Sequence, residues 1–137
     1  MKIKRVIQED STGCWIACIA MVAGISYAEA KQITLNNEIL KKSVKNFYTT
    51  TKDLVNFLNS IGIESSKGRK VRYWSSINTI SIVGINFLET TDTWHWVLFI
   101  PNEDTGYVLD PSKRVKTEKR TDFSRMRLRS YIPISLP

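Results

Sequence analysis

The chain has 137 residues, of which 42% are hydrophobic, 10% aromatic and 24% charged. This length supplies apolar side chains for one core and is short for two, so we predict a single domain over residues 1–137. The apolar run from Gly13 to Ala28 is shorter than a membrane span, and Gln8, Glu9 and Asp10 interrupt the pattern of a signal peptide. We therefore expect no membrane insertion.

Helices are predicted in the first half of the chain. The apolar residues after Cys14 predict a helix over residues 15–22, and Ser26 with a glutamate three positions later forms a capping-box pattern that begins a second. A third helix is predicted over residues 51–60, where apolar residues recur on one side and Gly62 follows.

The second half is rich in β-branched and aromatic residues, which is typical of strands. The predicted strands are SIVGINF, WHWVLFI, GYVLD and RLRSYIPI. Helices followed by strands predict an α+β fold, in which the N-terminal helices pack on one side of a C-terminal antiparallel sheet.

The net charge of +7 is concentrated near the C-terminus. Residues 113–129 carry eight lysines and arginines against Glu118 and Asp122, a surplus of six positive charges. A solvated surface, an acidic protein partner and nucleic acid would each explain this segment. Because no aromatic interleaving or nucleic-acid motif accompanies the charges, we expect no nucleic-acid binding, and an acidic immunity or inhibitor protein is the partner that would fit. We expect the protein to be a monomer.

Both cysteines lie in the first predicted helix. Cys14 and Cys18 are four residues apart, at positions poorly suited to a disulfide, so we predict two free thiols and synthesis in the reducing cytoplasm. Secretion or delivery into a target cell after synthesis would be compatible with this. Cys18 lies among apolar residues and is predicted to pack in the core.

Cys14 stands where a polar loop turns into the apolar run, and its role has three readings. In the first reading Cys14 is a small core residue. In the second it is a nucleophile whose thiolate is favoured by the free N–H groups and the positive dipole end of the helix that it begins. The third reading is a zinc site formed with Cys18, His95 and Asp110. Since a C-x-x-x-C spacing within an apolar helix lacks the loop of structural zinc sites, we expect no metal and no other cofactor.

The remaining candidate residues are spread along the chain. His95 is the single histidine, in the segment WHWVLFI, and strand alternation points its imidazole away from the two neighbouring tryptophans. Asp110 ends the next predicted strand and would lie near His95 if the two strands form a hairpin. Gln8 precedes Cys14 by six residues and carries an amide that can donate to an oxyanion. These are the groups that acyl transfer through a thioester requires.

The segment from Gln8 through Cys14 to Trp15 resembles the active-site segment of papain-like cysteine peptidases. The segments WHWVLF and VLDP resemble the histidine and aspartate segments of its compact bacterial branch, the peptidase domains that remove double-glycine leaders from bacteriocins. The resemblance covers nearly the whole chain. It implies a papain-like fold with Cys14 as nucleophile at a helix N-terminus, His95 as base, Asp110 as orienting group, Gln8 as oxyanion donor, and a protein or peptide substrate. Trp15 departs from the glycine usual in leader peptidases and matches papain and some secreted bacterial effector proteases.

Two classes of function follow from these residues. The first class is a cysteine peptidase. It would cleave after Gly-Gly if the resemblance extends to specificity. A bacterial toxin or effector domain is one biological role that such a peptidase would have. A deamidase or transglutaminase-like enzyme would use the same residues on a glutamine side chain. The second class is a catalytically silent module that docks an acidic partner on residues 113–129. The presence of all four catalytic residue types favours the enzyme.

Overall fold

The structure is a computed structural model that describes residues 3–37 and 49–136. Within these ranges helix α1 covers Cys14–Ala23, α2 covers Tyr27–Leu35 and α3 covers Thr51–Ser60. The predictions of all three helices are confirmed. No single helix in the described ranges is long and apolar enough to cross a membrane, and α1 and α2 meet that criterion only as a pair, across a bend of 109°.

A local capping signal marks at least one end of each helix. Helix α1 is buried along nearly its whole length and ends at Gly24, whose φ of 70° is left-handed and whose N–H donates to the carbonyl of Ala20. The capping box that begins α2 forms as predicted, with Ser26 and Glu29 bonded reciprocally. The hydroxyl of Thr50 caps α3.

Antiparallel strands form one sheet after the helices. The strands are β1 (Glu64–Ser65), β2 (Arg69–Lys70), β3 (Ser81–Leu88), β4 (Thr93–Ile100), β5 (Tyr107–Leu109) and β6 (Leu128–Ser135). Their order is β1-β6-β3-β4-β5, with β2 also paired to β6, so that the last strand lies beside β3. The α+β prediction is confirmed.

Strand β4 carries apolar side chains on both faces of the sheet. Trp96 and Leu98 join the core that contains α1, while Val97 and Phe99 join a second core on the other face. That second core includes Trp74 and Met126, which lie in or beside short 3₁₀ turns. Short turns therefore cover the face of the sheet that the helices leave open.

Candidate active site

Cys14 is the first residue of α1, as predicted, and its thiol lies against β4. Its side chain is buried, and the backbone N–H of Trp96 donates to its Sγ at 3.4 Å. The N–H of Cys14 belongs to the first turn of the helix, where backbone donors have no intrahelical acceptor. The sulfur thus has a hydrogen-bond donor on one side and the positive end of a helix on the other.

The loop before Cys14 is fastened to helix α2. The carboxylate of Asp10 accepts from the Tyr27 hydroxyl at 2.7 Å and from Lys31 Nζ at 3.0 Å, and these bonds hold the pKa of Asp10 below its usual value. Gly13 lies directly under the Tyr27 hydroxyl, which a Cβ at this position would overlap. Glycine at position 13 therefore lets Tyr27 reach Asp10 and fixes where α1 begins.

His95 and Asp110 are brought together by the pairing of β4 with β5. The two strands do form the hairpin on which this placement depends, with Leu98 opposite Leu109, and His95 Nε2 lies 2.7 Å from Asp110 Oδ1. The Asp110 side chain is only 1% exposed. Because Asp110 occupies Nε2, the other ring nitrogen, Nδ1, is the one available to Cys14.

The electrostatics of the pair favour a charged imidazole. Burial opposes the charge on His95, but hydrogen bonds to Asp110 and Cys14 outweigh it and raise the pKa of His95 to about 10. Burial also opposes the Asp110 carboxylate, yet hydrogen bonds from His95, from the N–H of Ser112 and from Arg120 hold the pKa of Asp110 below its usual value. At neutral pH the pair is therefore an imidazolium and a carboxylate.

Gln8 is 8% exposed and lies beside the loop that carries Asp110. Its backbone N–H donates to the carbonyl of Pro111 at 2.9 Å. Its side-chain Nε2 donates to the carbonyls of Asp10 and Ser11 at 2.9 and 3.0 Å. Both amide protons therefore point at backbone carbonyls, and an oxyanion would have to replace one of these acceptors.

Two clefts meet at His95. One of about 670 Å³ is lined by Cys14 and His95 together with Trp15, Trp94 and Trp96. A second of about 630 Å³ is lined by Gln8 and His95 and by the loop at residues 112–114. A chain lying across Cys14 would therefore have room on both sides of the imidazole.

Two arginines that were not predicted from the sequence hold Asp110 and its loop. Arg120 Nη1 donates to Asp110 Oδ2 at 2.8 Å, while Arg5 donates to the backbone carbonyls of Asp110, Ser112 and Val115 at 2.6, 2.9 and 2.7 Å. A buried aspartate needs more than one partner, and residues 113–129 contain many cations. This composition was the one sequence feature that could have indicated a partner such as Arg120. Which of these cations reaches the Asp110 carboxylate depends on how the loop after Asp110 folds, and Arg120 is the one that does.

The two thiols are free, and the structure separates them by environment. Cys18 is fully buried, which confirms the prediction that it packs in the core, and burial raises its pKa well above the usual value. Among residues 3–37 and 49–136, no group of three or more His, Cys, Asp or Glu side chains is arranged to hold a metal ion.

No protein-family model matches the chain, and no curated protein sequence matches it. Among solved structures it is similar to a double-glycine-motif protease from an AMS/PCAT transporter, in complex with the leader peptide, with a TM-score of 0.68 and 17% identity over 99% of this chain and 93% of that chain. The peptidase domain of Streptococcus ComA, a bifunctional ABC transporter of a quorum-sensing pathway, gives a TM-score of 0.68 and 18% identity over 99% and 100% of the two chains.

The peptidase domain of Streptococcus mutans ComA gives a TM-score of 0.62 and 16% identity, over 96% of this chain and 98% of that one. At 16–18% identity these likenesses establish the fold. The chain has the papain-like α+β fold of the double-glycine peptidase domains.

Proposed function

We propose that the protein is a cysteine peptidase that hydrolyses peptide bonds through a thioester on Cys14. The observation that carries the proposal is the 2.7 Å bond between His95 and Asp110 beside a thiol at a helix N-terminus. The structural similarity to peptidase domains, one of them in complex with a leader peptide, supports the choice of a peptide as substrate.

The first step forms the tetrahedral intermediate that precedes the thioester. The Cys14 thiolate attacks the carbonyl carbon of the scissile bond, and the negative charge moves to the carbonyl oxygen. The backbone N–H of Cys14 and the amide of Gln8 are the proposed donors to this oxyanion. Gln8 would give up its bond to the carbonyl of Asp10 or Ser11 as the charge develops.

Proton transfer by His95 completes both halves of the reaction. The imidazolium gives its proton to the amide nitrogen, the C–N bond breaks and the amine leaves. Water then attacks the thioester carbonyl, passing a proton to His95 while the C–S bond breaks, and the acid product departs. Asp110 acts as a positioning residue that holds the imidazole and stabilises its charge.

Cleavage after Gly-Gly is the specificity that the cleft favours. Trp15, Trp94 and Trp96 line this cleft together with Cys14, so bulky aromatic residues form part of its wall. A segment without side chains can lie closest to such walls. We therefore propose that the residues preceding the scissile bond are two glycines.

A peptide-library cleavage experiment tests both parts of the proposal. We expect cleavage after Gly-Gly, with kcat/KM reduced about tenfold or more when either glycine is enlarged. Cys14→Ala should lose more than about three decades of activity, whereas Cys18→Ala serves as the matched control and retains it. Cleavage after bulky residues would overturn the Gly-Gly specificity, and turnover by Cys14→Ala would overturn the mechanism. Release of ammonia from glutamine peptides without cleavage would assign the protein to the deamidases.

A role as a bacterial effector restrained by an acidic inhibitor is a further proposal, supported by the positive surplus in residues 113–129. It implies synthesis in the cytoplasm and later delivery. An acidic protein encoded beside the gene should inhibit turnover, and the inhibition should weaken as salt concentration rises. Inhibition that is absent at low salt would contradict this role.

A further inference from the structure

One cation of the basic segment 113–129 points into the protein, although most of them are exposed. The Arg120 side chain is 14% exposed, and its Nη1 donates to Asp110 Oδ2 at 2.8 Å. The other carboxylate oxygen, Oδ1, faces His95 and also accepts from the N–H of Ser112 at 2.9 Å. Arg120 and His95 therefore hold opposite oxygens of one buried carboxylate.

Arg120 is itself fixed by its backbone and by its other nitrogens. Its N–H and C=O exchange bonds of 2.8 and 2.9 Å with Val108 in β5. Its Nε and Nη2 donate to the two carboxylate oxygens of Asp122, both at 2.8 Å. Such a bidentate pair fixes the plane of the guanidinium as well as its position.

We infer that Arg120 is a positioning residue that orients the Asp110 carboxylate toward His95, with Asp122 fixing Arg120 in turn. The inference rests on the proposed peptidase function. A planar guanidinium on Oδ2 prevents the carboxylate from turning about its Cβ–Cγ bond, so Oδ1 stays directed at His95 Nε2. A buried carboxylate without this partner would turn or take up a proton, and the imidazole would lose its alignment.

The test uses substitutions that separate orientation from folding. Arg120→Gln should lower kcat/KM and the alkylation rate of Cys14 by iodoacetamide near pH 6, each about tenfold or more, with KM nearly unchanged. Arg120→Lys keeps the charge and one hydrogen bond and should recover part of the loss. Asp122→Asn, at a half-exposed site, should cost about threefold because Arg120 keeps its bond to Asp110. Arg127→Gln, at an exposed side chain of the same segment, is the matched control.

A double-mutant cycle distinguishes positioning through Asp110 from a general structural role. In an Asp110→Asn background Arg120 has no carboxylate to orient. Arg120→Gln should then change kcat/KM and the alkylation rate of Cys14 by less than about twofold each. Equal losses in both backgrounds, or wild-type rates in Arg120→Gln, would overturn the inference. If the wild type cleaves no peptide, the proposed function is wrong. The double-mutant cycle measured by the alkylation rate of Cys14 still decides whether Arg120 acts through Asp110.

Discussion

The imidazole of His95 is held from two sides, by Asp110 and by the Cys14 thiol. Because both partners favour the proton, the folded state binds it more tightly than the unfolded chain does. The stability that this raised pKa contributes is fully present below about pH 6.5 and is lost as the pH rises through about 10. The pair is thus expected to stay charged over the physiological range.

The positive charge on His95 predicts how kcat/KM depends on alkaline pH. We expect kcat/KM to fall as the pH rises through about 10, where His95 loses the proton that it must give to the leaving amine. Asp110→Asn removes the negative charge and should move this limb to lower pH. Measuring kcat/KM against pH for both proteins tests the assignment, and an Asp110→Asn limb identical to that of the wild type would contradict it.

At the scale of secondary structure, helix α2 determines where α1 begins. Tyr27, its first residue, reaches over Gly13 to bond Asp10, and this contact closes the loop that leads into Cys14. The position of the thiol therefore depends on packing between two helices as well as on the sequence of α1.

Gly13→Ala should destabilise the protein by about 1–3 kcal/mol, because its Cβ would overlap the Tyr27 hydroxyl. Tyr27→Phe removes that hydroxyl, so Gly13→Ala should cost less in the Tyr27→Phe background, with a coupling of about 1 kcal/mol. Urea unfolding of the wild type, the two single variants and the double variant measures this coupling in a double-mutant cycle. Strictly additive losses would show that the hydroxyl does not restrict position 13.

Local signals explain which elements could be predicted from sequence. The Ser26 capping box, the apolar periodicity of residues 51–60 and the β4–β5 hairpin each depend on neighbours along the chain. The two-residue strands β1 and β2, and the insertion of β6 beside β3, depend on pairing across long separations. Arg5 and Arg120 could not be predicted from the sequence for similar reasons. The partners of Arg5 are distant in the chain, and the contact of Arg120 with Asp110 depends on the conformation of the loop between them.

At the scale of the whole molecule, the N-terminal segment is anchored to the loop that carries Asp110. Arg5 is almost fully buried, at 3% exposed, and its guanidinium binds three carbonyls of the loop at residues 110–115. That loop carries Asp110 and leads into the basic segment. Arg120 of that segment also binds Asp110, so part of the C-terminal positive charge serves the internal structure of the site, and the exposed remainder is available to a partner.

Arg5→Gln should lower the free energy of unfolding by at least about 2 kcal/mol, because it leaves buried carbonyls without their charged donor. Activity should fall as well, since the Asp110 loop loses its anchor. Lys4→Gln, at the exposed neighbouring side chain, should change stability by less than about 0.5 kcal/mol. Urea denaturation measures both, and equal effects of the two substitutions would refute the role of Arg5 as the anchor of this loop.

Affinity labelling by a peptidyl-Gly-Gly chloromethyl ketone, followed by mass spectrometry, tests most directly whether Cys14 is a nucleophile activated by His95. We expect one adduct, on Cys14 and not on Cys18, formed at least about tenfold more slowly in His95→Ala. A folded wild-type protein that stays unlabelled at Cys14, or that is labelled equally fast without His95, would contradict it.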